Sequence, residues 1–187
     1  MSGQGPQDHL VTFRSSDEEL AQTVSNFLLG AIQAGGVAVA VATPAHRQQL
    51  EVRLAQAGVD PAAARAGGSL VTLDAAGTLD RFAVNGYPDP AAFYQVITPV
   101  LERATRRRRQ VRVFGEMVSL LWESRQFSAA IDLEALWNGL VRQHHFSLLC
   151  AYPAGASPDQ PDELALMLGE HSAVIGRNQP DEEAIVA

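Results

Sequence analysis

The sequence predicts an α/β fold: a three-layer sandwich whose helices cover both faces of a mainly parallel central sheet. Three observations lead there. Five apolar runs, His9-Leu-Val-Thr-Phe13, Val37-Ala-Val-Ala-Val41, Leu70-Val-Thr-Leu73, Val111-Arg-Val-Phe114 and Phe146-Ser-Leu-Leu-Cys150, are nearly continuous. Such runs mark strands buried on both faces, as in helix-covered parallel sheets. Between them lie segments with apolar residues at helical spacing, the alternation expected of βαβ units. Each run also stops at polar or turn residues: Arg14-Ser-Ser-Asp17, Thr43-Pro-Ala-His46-Arg47, Asp74, Gly115-Glu116 and Tyr152-Pro153. Parallel strands share one carboxyl edge, and ligands bind there. The sequence therefore points to a site before it points to a chemistry.

The elements follow in order. After the first strand, Ser16-Asp-Glu-Glu19 has capping-box spacing, and Leu20, Val24, Phe27, Leu28 and Ala31 continue a helix. Gly35-Gly36 closes it and opens the second strand. Thr43-Pro44 is an N-cap followed by proline at the first helical position, and Leu50 and Leu54 extend that helix to Gly58. Asp60-Pro61 starts a short helix leading to Gly67-Gly68. The third strand stops at Asp74, read as the cap of a helix carrying Leu79 and Phe82. The run Asn85-Gly-Tyr-Pro-Asp-Pro90 is dense in turn residues. Phe93, Ile97, Val100, Leu101 and Ala104 then recur at helical spacing. Beyond the fourth strand, Met117, Val118, Leu121 and Trp122 predict an apolar helix. A second helix, from Ser128 to His144, carries Leu133, Leu136, Trp137 and Leu140. A loop over 153–162 and a last helix over 162–171 follow the fifth strand. The domain expectation is a flexible lead over 1–8, one domain over 9–175 and a disordered acidic tail over 176–187.

Composition narrows the function. The chain has 187 residues, a formal net charge of -7 and a pI near 5.1. That length suits one domain with a sizeable core, and the acidic balance argues against nucleic acid as partner. The basic cluster Arg106 to Arg109 reads as the solvated end of a helix, where cations complement the dipole. The single cysteine allows no internal disulfide, which fits a reducing cytoplasm. No secretory signal and no run of membrane-spanning length is visible, so no membrane is expected. All 14 basic residues are arginine. Without lysine there is no Walker A phosphate loop, no Schiff base and no lysine general base.

Glu116 is the foremost candidate residue. It follows an apolar strand through one glycine and precedes an apolar helix, so it falls at the sheet edge beside a helix N-terminus. It reads either as a helix-start carboxylate satisfied by nearby amides or as a ligand acceptor or relic general base. Thr43, His46 and Arg47 place a hydroxyl, an imidazole and a guanidinium in one turn, either as cap and solvated side chains or as an anion site. Asp74 reads as a cap with an option of pairing with Arg47. The five histidines and Cys150 show no metal-binding spacing, and no Gly-x-Ser-x-Gly elbow is present. No catalytic residue, metal or cofactor is therefore expected, and Cys150 reads as a small core residue. Trp122, Trp137 and Phe127 suit a core or an apolar pocket.

An ordered set of motifs adds a resemblance. His9-Leu-Val-x-Phe13, Ala42-Thr-Pro-x-His-Arg47, Leu73-Asp-Ala75, Arg112-Val-Phe-Gly-Glu-Met-Val118, Leu121-Trp122, Leu133-Glu-x-Leu-Trp-Asn138, Leu148-Leu-Cys-Ala-Tyr-Pro153 and His171-Ser172 occur in sequence. Together they resemble the MEDS domain, the methanogen/methylotroph sensory domain first described in a dichloromethane-responsive repressor. The resemblance spans residues 9–175. It implies a RecA/KaiC-like core lacking a phosphate loop; the corresponding segment here is Phe13-Arg-Ser-Ser-Asp17, with neither glycines nor lysine. It also implies signal sensing, a hydrocarbon-derived small organic ligand, and a regulatory partner such as a histidine kinase or an anti-sigma system component. The expectation is a non-enzymatic, cytoplasmic sensory domain. Its ligand pocket at the carboxyl edge would be lined by His9, Thr43, His46, Arg47, Asp74, Glu116 and Tyr152. Two alternatives stay open: a ligand-independent protein-interaction adaptor, and a divergent nucleotide-binding ATPase using Glu116 as base and Arg47 as phosphate clamp.

Overall fold

Val37-Ala-Val-Ala-Val-Ala42 forms a strand buried along its whole length, and its alternation explains the layers around it. Its valines face one core and its alanines the other. In this computed structural model, residues 8–106, 109–155 and 161–175 are described. The elements are β1 (His9–Arg14), α1 (Asp17–Gln33), β2 (Val37–Ala42), α2 (Pro44–Gln56), α3 (Pro61–Ala66), β3 (Leu70–Asp74), α4 (Ala75–Leu79), β4 (Ala83–Val84), β5 (Tyr87–Pro88), α5 (Pro90–Thr105), β6 (Val111–Gly115), α6 (Met117–Glu123), α7 (Phe127–His144), β7 (Ser147–Pro153), α8 (Pro161–Gly169) and β8 (Ala173–Ile175).

The main sheet has strand order β3-β2-β6-β7-β1-β8, and every neighbouring pair is parallel. Helices α1 to α3 pack on the face that holds Ala38, Ala40 and Ala42, with Leu20, Val24, Leu28, Leu50 and Leu54 in contact there. The opposite face carries Val37, Val39, Val41, Leu148 and Tyr152 under the helical residues Phe93, Ile97, Met117, Leu133 and Trp137. Each fully buried valine or leucine contributes about 1.5–3 kcal/mol, so this larger core dominates the stability. On the α1 side the alanines leave room for the bulky neighbours on β6: Ala38 sits opposite Arg112 and Ala40 opposite Phe114. Arg112 lies under α1, donating to the Phe27 carbonyl at 2.8 Å with its guanidinium 5.2 Å from the Phe27 ring centre. Such a stacked cation adds attraction to the ring face.

Glycine is required at the entrance to β2. A Cβ on Gly36 would lie 2.1 Å from the Gln110 carbonyl oxygen and 2.9 Å from that of Ala31. The two backbones can meet there only without a side chain.

The expected architecture, an α/β sandwich on a mainly parallel sheet, is the one observed. The caps behave as read: Ser16 accepts from the Glu19 amide at 3.2 Å, Asp60 from that of Ala62 at 2.8 Å and Asp74 from that of Gly77 at 2.8 Å. Three details differ. The sheet has a sixth strand, β8, only three residues long, too short for an apolar run to announce it. Helix α4 ends at Leu79, so Phe82 enters the core from a turn and stacks edge-on against Phe93 at 5.2 Å. The turn-rich Asn85-Gly86 segment joins a small antiparallel hairpin, β4–β5, with both residues at positive φ, 54° and 83°. Residues 1–7 and 176–187, where a lead and an acidic tail are expected, lie outside the described residues, as do Arg107 and Arg108 of the basic cluster. No helix among the described residues is long and apolar enough to cross a membrane.

Candidate functional site

The register of the central strands builds the carboxyl edge. Ala42 of β2 lies opposite Asp74 of β3, and Val41 lies opposite Gly115 of β6. The residues that follow these ends therefore converge. The Glu116 amide donates to the Val41 carbonyl at 2.9 Å, extending the ladder by one residue. That bond fixes the backbone and aims the Glu116 side chain across the end of β2. Its carboxylate accepts the Thr43 amide at 2.7 Å and the Thr43 hydroxyl at 3.5 Å. Thr43 is the N-cap of α2, so the carboxylate sits where the helix dipole favours negative charge.

His46, one turn into α2, completes the group. Its Nδ1 donates to the Glu116 carboxylate, and its Nε2 lies 3.4 Å from Asp17. Both ring nitrogens thus face carboxylates, an arrangement that favours the doubly protonated ring. The Glu116 hydrogen bond holds the His46 pKa above its ordinary value against the opposing effect of burial, with Asp17 adding to the rise. Beyond Asp17 the alternation continues: Arg14 bonds Asp17 at 3.1 Å and also pairs with Glu123 of α6. On the other side, Arg47 reaches Asp74 at 3.1 Å. The floor is closed, since Glu116 is 2% exposed. The rim is open: the side chains of Arg47 and Asp74 are 29% and 39% exposed. Arg14 and Arg47 each keep a buried Nε with no hydrogen-bond partner. Two surface hollows run along the outer sides of α1 and α2, lined by residues such as Gln22, Asn26, Gln49 and Arg53 and by none of the strand-end groups just described.

Five of the seven residues expected to share a hollow, Thr43, His46, Arg47, Asp74 and Glu116, are thus brought together. Two residues not singled out, Asp17 and Arg14, join them; the polar run Arg14-Ser-Ser-Asp17 after β1 was the signal for both. His9 and Tyr152 do not join. His9 is the first residue of β1, at the opposite end of that strand. Tyr152 does sit near the end of β7, but its hydroxyl donates to Glu134 of α7 at 2.6 Å, inside the core. Both belong to a second, buried polar cluster centred on Glu134, which also receives Cys150 at 3.2 Å and lies 3.1 Å from His9 and 3.3 Å from His171. The expectation of one hollow gives way to two groups, because side chains on β1 and β7 that face α7 turn inward under a helix rather than over the sheet edge.

Electrostatics in the second group centre on one carboxylate. Burial alone would raise the Glu134 pKa, but hydrogen bonds and charge from His171 and His9 hold it well below the usual range. Burial alone would lower the pKa of His9; Glu134 and Asn138 outweigh it and hold the ring above its ordinary value. Burial and then the Glu134 charge push the Cys150 thiol and the Tyr152 phenol well up. Sequence spacing could not reveal this cluster, since its members come from β1, α7, β7 and the link after α8.

A family model described as MEDS, MEthanogen/methylotroph, DcmR Sensory domain, matches residues 8–171. Among solved structures the chain is similar to a KaiC-like protein from the hyperthermophilic archaeon Pyrococcus horikoshii OT3. That likeness has 14% identity and a TM-score of 0.58 over 91% of this chain and 70% of the other. It shows a KaiC/RecA-like fold. No curated protein matches the chain.

Proposed function

Because the chain belongs to the MEDS family, whose domains sense rather than catalyse, we propose that it binds a small organic molecule at the carboxyl edge of its sheet and relays that event to a regulatory protein. The observation that carries this reading is the convergence of Thr43, His46, Arg47, Asp74 and Glu116, with Arg14 nearby and spare Nε donors on Arg14 and Arg47. Spare donors over a closed, charged floor suit an oxygenated hydrocarbon derivative such as a short carboxylate: the head group accepts from the guanidinium groups and the tail lies along the rim.

The relay follows from which elements the pairs tie together. Asp17 opens α1, His46 and Arg47 open α2, Asp74 caps α4 and Glu116 caps α6. A ligand that takes Arg47 from Asp74 loosens α2 from α4. A ligand that takes Arg14 from Asp17 and Glu123 loosens α1 from α6. Either exchange biases two arrangements of the helices, and a partner with unequal affinity for the two reads the difference. The partner is a regulatory protein such as a histidine kinase or an anti-sigma system component, and the setting is the cytoplasm.

Isothermal titration of the chain with short carboxylates, alcohols and nucleotides tests this reading. Binding by an oxygenated organic molecule that weakens at least about tenfold, or 1.4 kcal/mol, in Arg47→Ala supports it. No binding across the panel, or binding undiminished in both Arg47→Ala and Glu116→Gln, counts against it.

A further inference from the structure

One nitrogen of His9, one of His171, the sulfur of Cys150 and a carboxylate oxygen of Glu134 lie within 4.8 Å of one another in the core. We infer that these four side chains form a binding site for a first-row transition-metal dication, Zn²⁺ foremost, separate from the strand-end group.

Spacing is the first support. His9 Nε2 stands 3.1 Å from Glu134 Oε2 and 3.5 Å from Cys150 Sγ, and Cys150 Sγ stands 3.2 Å from the same carboxylate oxygen. A tetrahedral zinc ion with bonds of about 2.0–2.3 Å separates its donor atoms by roughly 3.3–3.6 Å. One triangular face of such a site is therefore nearly in place, and His171 Nε2, 3.3 Å from the other Glu134 oxygen, supplies the fourth corner.

The orientation of the imidazoles is the second support. His171 Nδ1 is 2.8 Å from the Met167 carbonyl, which can only accept, so that nitrogen carries the hydrogen. His9 Nδ1 is 2.9 Å from Asn138 Oδ1, and the Asn138 amide is held in that sense because its nitrogen donates to the Glu170 carbonyl at 2.8 Å and the Glu170 carboxylate at 2.7 Å. With both Nδ1 positions committed to outer acceptors, Nε2 is the atom that each ring turns to the centre. This is the outer-shell pattern of metal-binding histidines. The His171 side chain is 1% exposed, and its Nε2 faces Glu134 Oε1 at 3.3 Å.

Donor chemistry selects the metal class. Two imidazoles, a thiolate and one carboxylate suit zinc and its neighbours, whereas calcium and magnesium take oxygen donors. One dication, one thiolate and one carboxylate sum to zero charge, which suits a buried position. Coordination forms one metal–sulfur, two metal–nitrogen and one metal–oxygen bond; the Cys150 proton and the Nε2 protons that pair His9 and His171 with Glu134 leave to solvent. Four protein donors leave no open position, so the site is structural in type. His171 lies between α8 and edge strand β8, so the ion would fasten this terminal segment to β1, α7 and β7.

The test adds Co²⁺ or Zn²⁺ to metal-free, reduced protein. Expected are one equivalent of Co²⁺ per chain, the intense visible bands of a tetrahedral site with a thiolate-to-metal band, and displacement by Zn²⁺. Expected too is a rise in Tm of about 10 °C at free zinc near a thousand times its Kd. Cys150→Ser should lose the thiolate band, and His171→Ala should weaken binding at least about tenfold. The weak spectrum of octahedral cobalt, no change in Tm, or binding untouched by both substitutions overturns the site. If either variant fails to fold, the cobalt spectrum of the unaltered chain decides. Failure here leaves the strand-end reading standing, because Arg47→Ala does not touch these ligands.

Discussion

Replacing Glu116 tests the strand-end group most sharply. In Glu116→Ala the half-buried Thr43 amide loses its acceptor at 2.7 Å, and the His46 ring keeps Asp17 at 3.4 Å. An orphaned buried donor costs about 1–3 kcal/mol, and a charge-assisted bond is worth about 1.5–3 kcal/mol. His46 is 12% exposed, so water recovers part of the second loss. The sum is about 3 kcal/mol, or a fall in Tm of about 6–12 °C for a chain of this size. Glu116→Gln keeps an oxygen for Thr43 and loses only the charge, so it should cost about half as much. The two variants also differ from wild type in pH dependence. The pKa of His46 is raised in the folded chain by Glu116, helped by Asp17, against burial. Its stabilising contribution is therefore complete below the unfolded value of about 6.5 and is lost as pH rises through the folded value. Urea unfolding at several pH values should show the gap between wild type and Glu116→Gln narrowing as pH increases above about 6.5. A gap that is absent, or that widens with rising pH, refutes the pairing.

Other substitutions separate stability from sensing. Arg47→Ala removes a half-exposed pair with Asp74; urea unfolding should register a change of at most about 1 kcal/mol, since such pairs are worth little, while calorimetry registers lost ligand affinity. Gly36→Ala should destabilise by about 3 kcal/mol or more, because its Cβ would lie 2.1 Å from a backbone oxygen that no rotamer can move; a thermal melt within 2 °C of wild type would contradict this. Tyr152→Phe removes the donor at 2.6 Å from buried Glu134; denaturant unfolding should show a loss of about 1–3 kcal/mol.

The sheet was legible because its strands are buried on both faces and say so in runs such as Val37-Ala-Val-Ala-Val41. The capping residues were legible because Ser16, Thr43, Asp60 and Asp74 act on amides two or three residues away. The strand-end group was half legible: parallel strands must share an edge, so Thr43, His46, Arg47, Asp74 and Glu116 had to be neighbours in some arrangement. Which of them pair depends on register, and sequence does not print register. β8 stayed hidden because three half-covered residues on an edge carry no pattern. The Glu134 cluster stayed hidden for a different reason. Glu134 sits in the middle of an amphipathic helix, where a carboxylate normally faces water; its partners Cys150 and Tyr152 lie 16 and 18 positions away on β7, and His9 and His171 come from the two ends of the domain. Only the fold brings them together.

The most direct test of the sensing claim is an amide NMR titration of the nitrogen-15-labelled chain with short oxygenated organic molecules. The shifted signals should centre on Asp17, Thr43 to Arg47, Asp74 to Gly77 and Glu116, and the same molecules should leave Arg47→Ala unmoved. Shifts confined to other parts of the chain, or an unchanged response in Arg47→Ala, would contradict it.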